Sequence, residues 1–186
     1  MARPLSPEKK NAILQAAREI VATDGSSART ADIAKKAGVA EGTLFTYFAN
    51  KDVLLNQIYI DLKADLARTL AKGFPAGGDA QERCRHLWNC YIRWGAVDPS
   101  KHQALRQLGV SERVTEASRE AGRECVGQFS SVLSEISSDK KNSDFTSAIL
   151  TALADTTLDF IAREPKRARR YTEAGFNAFW CGVAGR

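Results

Sequence analysis

Apolar residues recur along this chain every three or four positions and seldom every second one, the period that gathers side chains onto one face of a helix. Residues 8–23 put Ile13, Ala17, Ile20 and Val21 on one face, with Ser6 and Pro7 as start signals and Gly25 as the stop. A short second helix is predicted from an N-cap at Thr30 to Ala37, before Gly38, and a third from Glu41 to Phe48. Asn50 is placed to cap a fourth that carries Val53, Leu54, Ile58, Leu62, Leu66 and Leu70 and reaches about residue 72. The run G-F-P-A-G-G-D at 73–79 is the strongest punctuation, and beyond it helices are predicted at 79–96, 99–108, 112–137, 144–163 and 166–183. All five prolines (4, 7, 75, 99, 165) fall between these stretches, so the expected fold is all-α. The expected organisation is a helix-turn-helix module at 1–50, a connecting helix at 51–72 and a second helical module at 79–186.

Composition narrows the class. The 186 residues are 44% apolar and 26% charged, as in a globular protein rather than a disordered or fibrous one. The longest uncharged stretch, Ala174 to Gly185, has 12 residues, whereas a bilayer span needs about 20, so no membrane partner is expected. The N-terminus M-A-R-P-L-S-P has no apolar run suited to a secretory signal, which predicts a cytoplasmic protein whose four cysteines are thiols. Net charge is +5, with 11 basic and 8 acidic residues up to position 72. That excess permits an anionic partner without demonstrating one.

Two short helices joined by a tight glycine turn are most often a helix-turn-helix for DNA recognition. Ile33, Ala37, Val39, Leu44 and Phe48 can all point inward, and Ala34 is small enough for close crossing. Thr43, Thr46 and Tyr47 are then left on the outer face, where hydroxyls suit base edges and phosphate oxygens. A small helical bundle of another kind would share the spacing.

The residues themselves go further. T-A-D-I-A-K-K-A-G-V-A-E-G-T-L-F-T-Y-F-A-N-K-D-V-L-L at 30–55 resembles the DNA-binding module of the tetracycline-repressor (TetR) family, and the resemblance extends over residues 8 to about 60. It implies that Thr30 caps the second helix and bonds a phosphate, that Gly42, Thr43, Phe45, Thr46 and Tyr47 lie on the recognition helix, and that Lys51 anchors a phosphate. Ala40 stands where the family usually has a capping serine, and Phe45 where it usually has a phosphate-touching tyrosine. Arg29 and Lys36 are further candidates for phosphate contact, as are Arg3 and Lys10. Lys9 and Lys35 read better as solvated surface.

The second module contains no H-E-x-x-H, no G-x-S-x-G and no glycine-rich phosphate loop, so neither an enzyme nor a cofactor is expected. Its histidines and cysteines lack metal-site spacing, and no metal is expected. Trp88, Tyr91, Ile92 and Trp94 on one helix, with Phe129 later, could line a cavity, although core packing accounts equally for each. The family resemblance implies a small-molecule effector there, which the aromatic content suggests is lipophilic. Phe145, Ile149, Leu153 and Phe160 recur at helical spacing, and Gly175, Ala178 and Gly182 give the last helix a small-residue face. In the family the corresponding helices pair in a homodimer, while close packing within one subunit explains the pattern as well. The expectation is thus a repressor that binds double-stranded DNA as a dimer. Two rivals are a thiol-based redox-sensing regulator and a helical partner-binding module that does not work on DNA.

Overall fold

A computed structural model describes residues 5–136 and 143–184, and Arg3 and Arg186 lie outside the described residues. Every long element among them is an α-helix. Helix α1 (Pro7–Asp24) starts where the Ser6 hydroxyl accepts the Lys9 N–H at 3.2 Å, and it ends at Gly25, whose φ of +58° an L side chain rarely adopts. Helices α2 (Thr30–Lys36) and α3 (Glu41–Tyr47) are joined through Gly38 at φ +69°. Helix α4 (Lys51–Ala71) begins where the Asn50 side chain accepts the Val53 N–H at 2.9 Å. Helix α5 (Ala80–Val97) opens with a reciprocal cap between Asp79 and Glu82. The remaining helices are α6 (Pro99–Gly109), α7 (Glu116–Val126), α8 (Ser130–Ile136), α9 (Ser143–Arg163) and α10 (Ala168–Ala184).

Three expectations need correction. Thr30 is the first residue of α2 and not its cap, since Arg29 holds the cap position and no side chain bonds the first amides. The single helix expected at 112–137 is two. Its start is delayed because residues 111–114 form a turn, and Thr115 then accepts the Ser118 N–H at 3.2 Å as the cap of α7. It is interrupted at Gly127–Phe129 by a 3₁₀ turn that buries the Phe129 ring edge-on against Phe74, 5.3 Å between centroids. Finally, Pro165 opens a 3₁₀ turn, and α10 begins only at Ala168.

The chain forms two compact units that interleave in sequence. The first is Met1–Ala64 with Pro99–Arg123, and the second is Asp65–Asp98 with Glu124–Arg186. In the first, α1 packs on α2 and α6, α2 packs on α3, and Ile13, Ala17, Val21, Ile33, Leu44, Leu54, Leu55 and Leu108 close a dry core. In the second, α9 packs against α5, α8 and α10, around Trp88, Phe176 and Phe179.

By length and composition α9 is apolar enough to cross a membrane, with mean hydropathy 1.3 over Phe145–Arg163, although it carries Asp155 and Asp159. Its longest charge-free run is shorter than that of Ala174 to Gly185 because Asp155 and Asp159 interrupt it. Thr146, Leu150, Ala154, Thr157, Leu158 and Ile161 turn this helix into the unit's own core, which explains much of its apolar character.

Candidate nucleic-acid interface

The recognition surface is built on a sealed base. Leu44 and Phe48 point into the core at 0% and 3% exposure, and this fixes which face of α3 looks outward. On that face Gly42 is open, with nothing within 4 Å of where a Cβ would sit, so another surface can approach the backbone closely there. Phe45 is 42% exposed and presents an apolar ring suited to a thymine methyl. Thr46 is exposed and donates its hydroxyl back to the Gly42 carbonyl at 3.1 Å, while Thr43 is half-buried. The Ala40 cap position makes no side-chain bond, as its methyl requires.

Tyr47 is half-buried rather than freely projecting. Its phenol oxygen accepts the Ser6 N–H at 2.9 Å, a contact across 41 residues that ties the recognition helix to the start of α1. The bond uses a lone pair and leaves the phenol proton available to donate. Thr30 donates its hydroxyl to Glu41 Oε1 at 2.6 Å, so an acidic group sits beside the hydroxyl expected to meet a phosphate. Sequence reading missed both Ser6 and Glu41 in these roles. It took Ser6 only as a cap and Glu41 only as a helix start.

The flanking cations are placed but paired. Arg29 forks onto Asp32 at 2.6 and 3.1 Å, and the pair holds the Asp32 carboxyl below its ordinary range. Lys36 meets Glu19 at 2.9 Å, and its hydrogen bond, helped by Gln15, lowers the Glu19 carboxyl. Such exposed pairs are worth about 0–1 kcal/mol, so a phosphate can take either cation from its partner. Lys51 is partly buried at the start of α4. Its amine is pushed below the ordinary lysine range first by desolvation and then by the Arg113 charge, against the attraction of Asp52. Lys9, Lys10 and Lys35 are exposed.

The second unit distributes its predicted residues differently. Trp88 is a correction: at 0% exposure nothing the size of a water molecule reaches its ring, so it lines no cavity. It stacks on Phe179, meets Phe176 edge-on and donates its indole N–H to the Thr172 carbonyl at 2.9 Å. Ile92 and Phe129 are also buried. Trp94 donates to Asp65 at 2.9 Å, and Tyr91 lies half-buried beside it.

Gly175 is a second correction. A Cβ there would collide with Thr157 Oγ1 and stand 2.7 Å from Trp88, so this glycine faces its own unit's core and not a partner. Gly182 has nothing within 4 Å, and Ala178 is exposed. On α9, Phe145 is 65% exposed and Phe160 42%, with Ile149 and Leu153 between them half-buried. The basic cluster near α10 is surface, with Arg167 paired to Glu164 at 2.9 Å and Arg163 over the Phe160 ring. Burial pushes the Cys84 thiol up to about 12, whereas Cys181 is exposed. Among the described residues no three His, Cys, Asp or Glu side chains gather as a metal site would need.

Residues 13–58 match the family described as bacterial regulatory proteins, tetR family. The whole chain is similar in fold to a protein from Shewanella sp. PV-4 assigned to that family, with 25% identity and a TM-score of 0.80 over 96% of this chain and 99% of that one. It is also similar to a TetR family transcription regulator from Marinobacter aquaeolei VT8, at 18% identity and a TM-score of 0.75 over 95% of each chain. A third similar structure is the transcriptional regulator FadR from Bacillus subtilis in complex with stearoyl-CoA, at 16% identity and a TM-score of 0.69 over 94% of this chain and 99% of that one. With the helix-turn-helix geometry above, residues 13–58 are a DNA-binding module of the tetR family, and the chain as a whole has the fold of TetR family transcription regulators, with an N-terminal DNA-binding module and a helical C-terminal part.

Proposed function

We propose that the protein is a homodimeric repressor that binds a palindromic operator and releases it when a small lipophilic effector binds. The observation that carries the DNA half of this reading is the outer face of α3, where the open Gly42, the Thr43 and Thr46 hydroxyls, the Phe45 ring and the tethered Tyr47 phenol sit over a sealed core. Arg29, Thr30, Lys36 and Lys51 supply phosphate contacts around that face. Residues 1–50 form the DNA-binding part and 51–72 the connecting helix; within 79–186 the effector and dimerisation part is 79–98 with 124–186, since 99–123 fold with the first unit.

Two modules on one palindrome must present their recognition helices about 34 Å apart, one turn of B-DNA. The apolar side of α9 from Phe145 to Phe160, with Ala178 and Gly182 of α10, is the surface we assign to the pairing. Tyr91, Ile92, Trp94 and Phe129 are the residues we assign to the effector's surroundings. Stearoyl-CoA in Bacillus subtilis FadR is in keeping with a lipophilic effector on this fold. An effector that prefers the DNA-incompetent state shifts the population through α4, which runs unbroken from the first unit into the second.

The test uses duplexes selected from a random pool by the wild-type protein. Tyr47→Ala and Lys51→Ala should each weaken binding by about 1–3 kcal/mol, and only the lysine change should lower the salt slope, by about one unit per subunit bound. Two variants that bind like the wild type would overturn the assignment.

A further inference from the structure

The loop between α6 and α7 is exposed at several positions, yet its backbone is fastened on both sides. Asn56 of α4 donates its amide to the Arg113 carbonyl at 2.8 Å and accepts the Thr115 N–H at 2.9 Å. From α7, Arg119 donates to the carbonyls of Gly109 and Ser111 at 2.7 and 2.9 Å. The Ser111 hydroxyl accepts the Arg113 N–H at 3.2 Å, and Val114 is buried at 4% exposure. The Arg113 backbone is therefore held from α4 and from within its own loop, and α7 fastens the loop at Gly109 and Ser111. Its side chain is left about half exposed, at 49%, and reaches the first turn of α4, where Nη1 donates to Asp52 Oδ1 at 2.7 Å.

That position is next to Lys51. One carboxylate, Asp52, serves two cations, so the group carries a net positive charge at the amino end of a 21-residue helix, whose dipole adds to it. The contact to Asp52 uses one of the five donors of the guanidinium. The burial of Lys51 and the opposing Arg113 charge already disfavour the lysine cation in the free protein, and an anion between the two would relieve that opposition.

We propose that Arg113 makes a second phosphate contact beside Lys51, so that the DNA-binding surface extends beyond the helix-turn-helix onto the α6–α7 loop. This rests on the assignment of the α3 face and Lys51 to duplex DNA. Each phosphate contact contributes about 0.9 to the slope of log affinity against log salt, so a fourfold rise in salt costs about 3.5-fold in affinity per contact. The contact carries no sequence information, and its loss should be the same on any duplex.

The experiment titrates Arg113→Gln, Arg113→Lys, Asp52→Asn and Lys51→Ala against a random-sequence duplex of about 30 base pairs at several salt concentrations, with circular dichroism to follow the helices. The bonds to Asn56 and Ser111 use the Arg113 backbone, so the loop stays fastened in both Arg113 variants. Arg113→Gln should lower the salt slope by about one unit per subunit bound, as Lys51→Ala does, while Arg113→Lys keeps the wild-type slope. Asp52→Asn should bind at least as tightly as wild type, because it removes a competing anion. If Lys51→Ala lowers the slope and Arg113→Gln does not, the inference fails and the assignment of the α3 face stands. Equal loss in Arg113→Gln and Asp52→Asn at unchanged slope would overturn it in favour of an ion pair that merely holds the loop. If Lys51→Ala also leaves the slope unchanged, the underlying assignment fails and takes the inference with it.

Discussion

Replacing Gly175 with alanine adds one methyl group at the tightest point of the second unit. The new Cβ would stand 2.7 Å from Trp88 Cζ2 and closer still to Thr157 Oγ1, distances that real Cβ atoms essentially never show. Neither neighbour can easily move aside. Trp88 is fully buried, stacked on Phe179 and held through its N–H to Thr172, and the Thr157 hydroxyl donates to the Leu153 carbonyl at 2.7 Å. Overpacking a core by a methyl costs about 1–3 kcal/mol, and a site this constrained belongs in the upper half of that range. Alanine in a helix returns up to about 1 kcal/mol relative to glycine, which leaves a net loss of about 1–2 kcal/mol. Gly182→Ala on the same helix meets nothing within 4 Å and should gain up to about 1 kcal/mol. Urea unfolding followed by circular dichroism at one protein concentration would measure both. A Gly175→Ala midpoint at or above wild type would refute the packing argument. It follows that a larger residue at 175 damages the subunit itself, and loss of DNA binding there would say nothing about pairing between subunits.

Pairing is better probed on the exposed side of the same helices. Ala152→Arg combined with Ala178→Arg puts two guanidinium groups on surface positions of α9 and α10 without harming helix propensity, and should convert a dimer to a monomer in light scattering with an unchanged circular dichroism spectrum. A double variant that stays dimeric would place the interface elsewhere. Thiol chemistry should follow burial. A thiol near 12 is about one part in ten thousand thiolate at pH 8, so Cys84 should resist alkylation in the native protein while the exposed Cys181 labels readily. Raising the pH from 7 to 9 should leave Cys84 unlabelled until the protein unfolds. Peptide mapping that finds the two equally labelled in native protein would contradict the burial.

The first four helices were legible because their ends are decided by neighbours in sequence. Ser6 caps through Lys9, Gly25 and Gly38 take positive φ, and Asn50 caps through Val53. The start of α7 was not legible, since the turn before it is fastened by Asn56, 59 residues away from Thr115. Nor could the sequence distinguish Gly175 from Gly182. The two lie on nearly the same side of α10, and only the presence of Trp88 and Thr157 across from one of them separates a packing contact from an open surface. In the candidate site the outward face of α3 followed from the burial of Leu44 and Phe48. The restraint of Tyr47 by Ser6 and the engagement of Thr30 by Glu41 did not, because both bonds join segments whose approach only the fold determines. The same holds for α6, which a linear reading assigns to the second module and which packs on α1 instead.

Selection of bound duplexes from a random pool, followed by titration of the enriched sequence against a scrambled one, tests the central claim most directly. Sequence-specific recognition by paired α3 helices predicts an enriched palindrome whose half-site centres lie about 10 base pairs apart, bound at least a thousandfold more tightly than the scrambled duplex. Equal affinity for the two, with no sequence enriched, would contradict it.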